Sequence, residues 1–258
     1  MFSLIRKKFL NPGRYYFYYY LLRYQLLGKH TSHQKVLMRF PECKLWCRDP
    51  LSVLWQYKEI FLDEAYSLDS LEENALLLDC GSNVGMSLIY FRKRFPNCSL
   101  MAFEANPEIA QLLKENLKLN RIDNVEVIEK AVWKNDDGVK MSISPDDASS
   151  TQGTENMVLI PSVDFKKILE QQQEPVYIKM DIEGAEWPVL SHSGTALKKA
   201  KHLWLEYHAY YQQKQELDLV LRLLSEQGFR YCVARSYIFN NPTQPVEFVV
   251  NLIARQQA

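Results

Sequence analysis

The sequence predicts an α/β protein built on a mostly parallel sheet that ends in an antiparallel hairpin. Three observations predict it. Strand and helix patterns alternate from about residue 75 onward, and parallel neighbours need such crossovers. A glycine-bearing turn, Gly81-Ser82-Asn83-Val84-Gly85, directly follows the first of those strands. The last two strand patterns are joined by "SYIFNNPTQP", which has turn residues and no helical periodicity, so that pair runs antiparallel. With 258 residues, 47% of them hydrophobic, the chain has material for one large domain and a buried core.

Residues 1–48 read as a basic, tyrosine-rich segment, 49–74 as a helical lead-in and 75–258 as the main domain. The first 41 residues hold eight Lys or Arg and no acid. The run Tyr15–Leu27 is interrupted by Arg23, falls short of the roughly 20 apolar residues that span a bilayer, and lacks a signal-peptide cleavage site. Packing against its own domain or a second subunit is favoured over a place on an anionic membrane surface. Asp49 as N-cap and Pro50 in the first turn open a helix over Asp49–Tyr66.

The main domain then alternates. "ALLLDC" is a strand, "GMSLIYFRKRF" a helix, "SLMAFE" a strand, and "PEIAQLLKENLKLN" a helix opened by Pro107. "VEVIEKAV" (Val125–Val132) reads as one strand. The hydroxyl- and acid-rich loop Ser144–Gly153 reads equally as a lid or as a solvated connection. "SVDFKKILEQQ" is a helix, and "VYIKMDI" and "HLWLEY" are strands. "LDLVLRLLSEQGF" is a helix closed by Gly228, before the terminal strands "RYCVAR" and "VEFVVNLIAR".

The five cysteines are odd in number and scattered. Cys43 and Cys47 have no second Cys/His pair at zinc-ligand spacing, so reduced, packed thiols in a cytoplasmic protein are expected. A net charge of zero gives no electrostatic ground for a nucleic-acid partner, and none is expected.

The glycine turn and the acids around it point to a ligand. A dinucleotide turn has G-x-G-x-x-G, whose amides meet a pyrophosphate. Here the spacing is G-x-x-x-G and Asp79 precedes it, a poor neighbour for phosphate and a good one for a cation. S-adenosylmethionine carries an ammonium, a sulfonium and no phosphate. Glu104, 25 residues after Asp79 at the next strand's end, suits the two ribose hydroxyls. Asp79, Gly81, Asn83, Gly85 and Glu104 are therefore the expected cofactor residues.

Three blocks, "LLDCGSNVG", "AFEANPE" and above all "YIKMDIEGAEWPVL" (Tyr177–Leu190), make the chain from about Asp49 onward resemble the FkbM-type family of S-adenosylmethionine-dependent methyltransferases. The last block resembles that family's K-x-D-x-E-G-x-E signature; Ala105 stands where the family more often has proline. The resemblance implies a class I methyltransferase (Rossmann-like) fold acting on hydroxyl oxygens of sugars or specialised metabolites.

The residues themselves suggest how. Lys179, Asp181 and Glu183 share parity in an extended strand, as do Glu206 and His208 in the next, so adjacent strands would gather all five around one crevice. Methyl transfer to an alcohol needs a positioned oxygen and a base. His208 is the first candidate for that base, with Asp181 or Glu206 orienting it. Lys179 neutralises the acids or binds the acceptor, Glu183 and Glu206 hold acceptor hydroxyls, and Gly184 allows close backbone approach. The competing readings are an internal Lys179–Asp181 ion pair, a merely structural His208, and a Mg²⁺ site. Lys179 counts against the metal, and none is expected. Rival functions are a nicotinamide-dependent oxidoreductase and a cofactor-binding scaffold without turnover.

Overall fold

The structure, a computed structural model, describes residues 11–26, 34–142, 157–211, 213–239 and 246–257. Asn11 accepts a hydrogen bond from the Gly13 N–H and Pro12 takes the first helical position, which starts α1 (Pro12–Leu21); a π-helical turn continues it to Leu26. A hairpin follows, β1 (Val36–Arg39) paired antiparallel with β2 (Lys44–Cys47). Asp49 caps α2 (Pro50–Tyr57) by accepting from the Leu51 and Ser52 N–H groups. The expected helix Asp49–Tyr66 is shorter than its pattern: a π-turn, Lys58–Leu62, ends it at Asp63. These amino-terminal elements share one core with the main domain, where Phe17, Tyr20, Phe40 and Tyr57 join Leu77, Leu88 and Phe91. The other face of α1 leaves Tyr15, Tyr16, Tyr18 and Tyr19 exposed.

The parallel part begins with β3 (Leu76–Cys80), α3 (Met86–Arg94), β4 (Ser99–Phe103), α4 (Pro107–Leu119) and β5 (Val125–Ile128). The single strand expected over Val125–Val132 breaks in two. The Lys130 N–H donates to the Ile128 carbonyl at 2.9 Å, a tight turn that takes β6 (Ala131–Trp133) out of the sheet. The next strands, β7 (Val139–Ser142) and β8 (Met157–Ile160), pair antiparallel; the loop Ser144–Gly153 between them lies outside the described residues. The helix expected from Ser162 starts later. Ser162–Asp164 is β9, parallel to β6, and Asp164 then caps α5 (Phe165–Gln171) through the Lys166 and Lys167 N–H groups.

The chain continues through β10 (Val176–Met180), α6 (Glu186–Ser193), β11 (Ala200–Tyr210), α7 (Leu217–Glu226), β12 (Phe229–Ile238) and β13 (Val246–Gln256). The main sheet runs β12-β13-β11-β10-β3-β4-β5. From β5 to β11 it is parallel; β13 lies antiparallel between β11 and β12. This is the class I methyltransferase arrangement, mostly parallel and ending in an antiparallel hairpin. Alternation along the strands divides the core: Leu77 and Tyr177 pack on one face, Leu76, Leu78, Val176 and Ile178 on the other. Strands buried on both sides explain why "LLLDC" and "VYIKM" are near-continuous apolar runs. No helix among the described residues is long and apolar enough to cross a membrane.

Candidate active site

A cavity of about 290 Å³ opens at the carboxyl ends of β3, β4, β10 and β11. The β4 end is lined by Ser82, Asn83, Phe103, Glu104 and Ala105, the β10–β11 end by Lys179, Asp181, Glu183 and Glu206 with Glu59 beside them, and Trp55 also lines the cavity. Five acids (Glu59, Glu104, Asp181, Glu183, Glu206) against two lysines (Lys130, Lys179) make a wall that suits a cation and repels phosphate.

The turn after β3 is held by close backbone contact. Gly81 has φ +81°, and a Cβ there would lie 1.8 Å from the Asp181 carbonyl oxygen, so only glycine lets β3 and β10 end side by side. Asn83, at φ 49°, carries the turn onward. Its N–H donates to Glu104 Oε2 at 2.9 Å, and the Asn106 N–H donates to Oε1 at 2.9 Å. The carboxylate is thereby fixed with one amide on each oxygen and acceptor capacity left on both, as two ribose hydroxyls require. Burial pushes its pKa up to about 7 against the pull of those two amides.

Asp79 and Gly85 lie behind this wall rather than on it. Asp79 is fully buried; its Oδ2 accepts from Ser87 Oγ at 2.5 Å, while Oδ1 accepts no hydrogen bond and faces the Lys179 ammonium at 3.3 Å. Gly85, at φ +89°, precedes α3 and packs on Leu113. Lys179 is the hub between the turns. It donates to the Gly81 carbonyl at 2.5 Å and lies 3.5 Å from Asp181 Oδ2. Burial pulls its pKa down, but Asp79 and Asp181 outweigh that, and the ammonium is held well above its ordinary value.

Strand parity does not gather the acids as the sequence suggested. β10 ends at Met180, and Asp181–Gly184 is a turn in which Glu183 (φ 53°) and Gly184 (φ 91°) are both left-handed. Gly184 serves that reversal, and its N–H donates to Glu186 Oε1 at 3.1 Å. The reversal swings Glu183 back toward β11, where its Oε2 lies 3.5 Å from His208 Nε2. Glu206 Oε1 and Asp181 Oδ1 face the same nitrogen at 3.6 and 3.9 Å. His208 Nδ1 pairs with Glu186 Oε1 at 3.0 Å. The imidazole is buried behind the three acids and does not line the cavity. Burial lowers its pKa, but Glu183 and Glu186 more than compensate, leaving it well above the usual histidine value. Burial, with Asp181 second, raises Glu206 to about 8; burial raises Glu183 to about 6.

Two residues of this cluster escaped the sequence reading. Glu186 has a visible signal, an acid in the first turn of α6 within the signature block. Asn251 has none: it reaches Glu206 Oε2 (3.0 Å) and Glu59 Oε1 (2.9 Å) only because β13 pairs with β11 in the register Glu206↔Asn251.

Residues 79–231 match the methyltransferase FkbM domain. The chain is 24% identical over 166 residues to Methyltransferase 1 of Beauveria bassiana, covering 54% of this chain and 67% of that protein. It is 28% identical over 163 residues to the hexuronic acid methyltransferase AglP of Haloferax volcanii, covering 62% and 65%. The aligned parts thus span about two thirds of these curated relatives. Among solved structures, TYW2 of Pyrococcus horikoshii in complex with MeSAdo shares the fold with a TM-score of 0.50 at 13% identity, over 92% of this chain and 81% of that one. The domain match takes in more than half of the chain, both turns and the acid cluster: the protein belongs to the FkbM family of methyltransferases, and its cofactor is S-adenosylmethionine.

Proposed function

We infer that the protein methylates a hydroxyl oxygen of a sugar or specialised metabolite. One observation carries this reading: Glu104 and the Asp181–Glu183–Glu206 group line opposite ends of one cavity. S-adenosylmethionine, when bound, supplies a methyl group on a sulfonium. Glu104, with Asn83 beside it, holds the ribose; Gly81, Gly85 and Asp79 shape and anchor the turns that bring the two ends together. Lys179 fixes those turns and neutralises Asp79 and Asp181. The acceptor hydroxyl lies among Glu183, Glu206 and Asp181, which accept its hydrogen bonds and exclude phosphate esters by charge. Transfer releases a proton, and Glu183 is suited to take it near neutral pH. His208 acts from behind: it orients Glu183 and Glu206 and offsets their charge. The name of the Haloferax relative, a hexuronic acid methyltransferase, supports a sugar acceptor. The five free cysteines support a reducing, cytoplasmic setting.

The test pairs a screen with two variants. Labelled S-adenosylmethionine is offered with an extract of cell-surface sugars, and the labelled product is isolated. Glu183→Gln should slow turnover about 10²–10⁴-fold and His208→Ala about 10²-fold or more, while S-adenosylhomocysteine binding stays nearly unchanged in both. A wild-type chain that binds S-adenosylhomocysteine yet labels nothing is instead a scaffold without turnover.

A further inference from the structure

Three side chains at the acid end each aim one atom inward while the other is fastened behind. Asp181 presents Oδ1 to the group while Oδ2 faces Lys179. Glu206 presents Oε1 while Oε2 accepts from Asn251. His208 presents Nε2 while Nδ1 is paired with Glu186, a carboxylate that itself accepts from the Ile182 and Gly184 N–H groups. This is how outer partners orient the ligands of a metal ion: one atom is tied down so that the other is aimed. One ligand atom from each of Asp181, Glu206 and His208 lies within 4.8 Å of the other two. A cation with bonds of about 2.0–2.2 Å spans ligand pairs roughly 3 to 4.4 Å apart, and the separations from Nε2 are 3.6 and 3.9 Å.

Charge points the same way. Asp181, Glu183, Glu186 and Glu206 surround one imidazole, and Lys179 is already shared with Asp79. The lysine that counted against a metal is therefore engaged on the far oxygen of Asp181 and on the Gly81 carbonyl, outside the enclosed space.

We propose that Asp181, Glu206 and His208 form a binding site for a divalent cation at the acceptor end of the cavity. One imidazole nitrogen with two carboxylate oxygens suits a first-row ion such as Mn²⁺ better than an all-oxygen Mg²⁺ site. An ion held there would displace the imidazole's proton and offset the acids in its place, and an acceptor hydroxyl reaching it from the Asp181 and Glu206 side would be made more acidic. In the reaction the acceptor O–H bond breaks and its proton passes to Glu183. The oxygen–methyl bond forms as the carbon–sulfur bond breaks, and that bond's electron pair stays on sulfur. The proposal deepens the function given above and rests on it for this step alone; the site itself stands on its geometry.

The experiment titrates the full-length, chelator-treated protein with Mn²⁺ and follows free Mn²⁺ by electron paramagnetic resonance. One ion per chain is expected, with pulsed spectra showing coupling to an imidazole nitrogen, a signature that needs no variant. Asp181→Asn and His208→Gln should each weaken binding at least tenfold, and Glu186→Gln about 10–100-fold. All three should keep S-adenosylhomocysteine binding, which reports that they fold. Absence of a bound ion, absence of nitrogen coupling, or unchanged affinity in Asp181→Asn overturns the site. Methyl transfer at full rate in excess chelator would remove its role but keep the methyltransferase reading. Ion binding without any methylated product would do the reverse.

Discussion

Glu104 meets two opposing demands: burial favours the neutral acid, whereas holding ribose hydroxyls favours the carboxylate. Its folded pKa of about 7 lies above the ordinary 4.5. The stability it contributes is therefore whole below about 4.5 and is lost as pH rises through about 7. Cofactor binding runs the other way, because the hydroxyls need the ionised form. One unit below the pKa only about a tenth of the carboxylate is charged, so S-adenosylhomocysteine should bind about tenfold more weakly at pH 6 than on its high-pH plateau. Calorimetric titration from pH 5.5 to 8.5 checks this, and Glu104→Gln should flatten the profile. Glu104→Ala should weaken binding by about 1.5–3 kcal/mol, the scale of charged hydrogen bonds. A wild-type affinity that does not change with pH would rule out this account.

Elements carry the next level of constraint, and Gly81 shows it most sharply. The clash of a Cβ there is with the Asp181 carbonyl, which is backbone and cannot rotate away. Gly81→Ala combines that overlap with a left-handed φ, so a loss of about 3 kcal/mol or more is expected. Urea denaturation should show it as a lower midpoint with an unchanged slope. How much of this was legible follows from the same contrast. The parallel strands could be read because helix patterns separate them, and the terminal hairpin because "SYIFNNPTQP" has no helical pattern. The break after Ile128 could not, since "VEVIEKAV" alternates smoothly and only the Lys130 turn interrupts it. The hairpin of β1 and β2 was hidden in a segment dominated by its charge and tyrosines. At the site, acids at strand ends could be named, but the left-handed Glu183 and the Asn251 register are products of tertiary packing and have no local pattern.

At the scale of the molecule, the match over residues 79–231 leaves out the parts that close the cavity. α2 and its π-turn add Ser52, Trp55, Gln56 and Glu59 to the cavity lining, and Glu59 reaches the acid end. The terminal hairpin clamps the π-turn there: Asn251 bridges Glu59 and Glu206, and Arg235 lies 3.5–3.6 Å from Asp63 and Glu59. Segments on either side of the matched region thus meet over the site, while the cofactor turns come from within it. Cofactor binding and acceptor choice should separate accordingly. Trp55 is half exposed, lines the cavity and touches none of the cofactor turns' hydrogen bonds. Trp55→Ala should leave S-adenosylhomocysteine affinity and kcat nearly unchanged and raise the acceptor KM about five- to tenfold, the pattern of lost uniform binding worth roughly 1–1.4 kcal/mol. Steady-state kinetics with the acceptor from the labelling screen would measure it. If instead kcat falls while KM holds, α2 shapes the reacting centre itself, and the division between a borrowed cofactor half and a specific acceptor half fails.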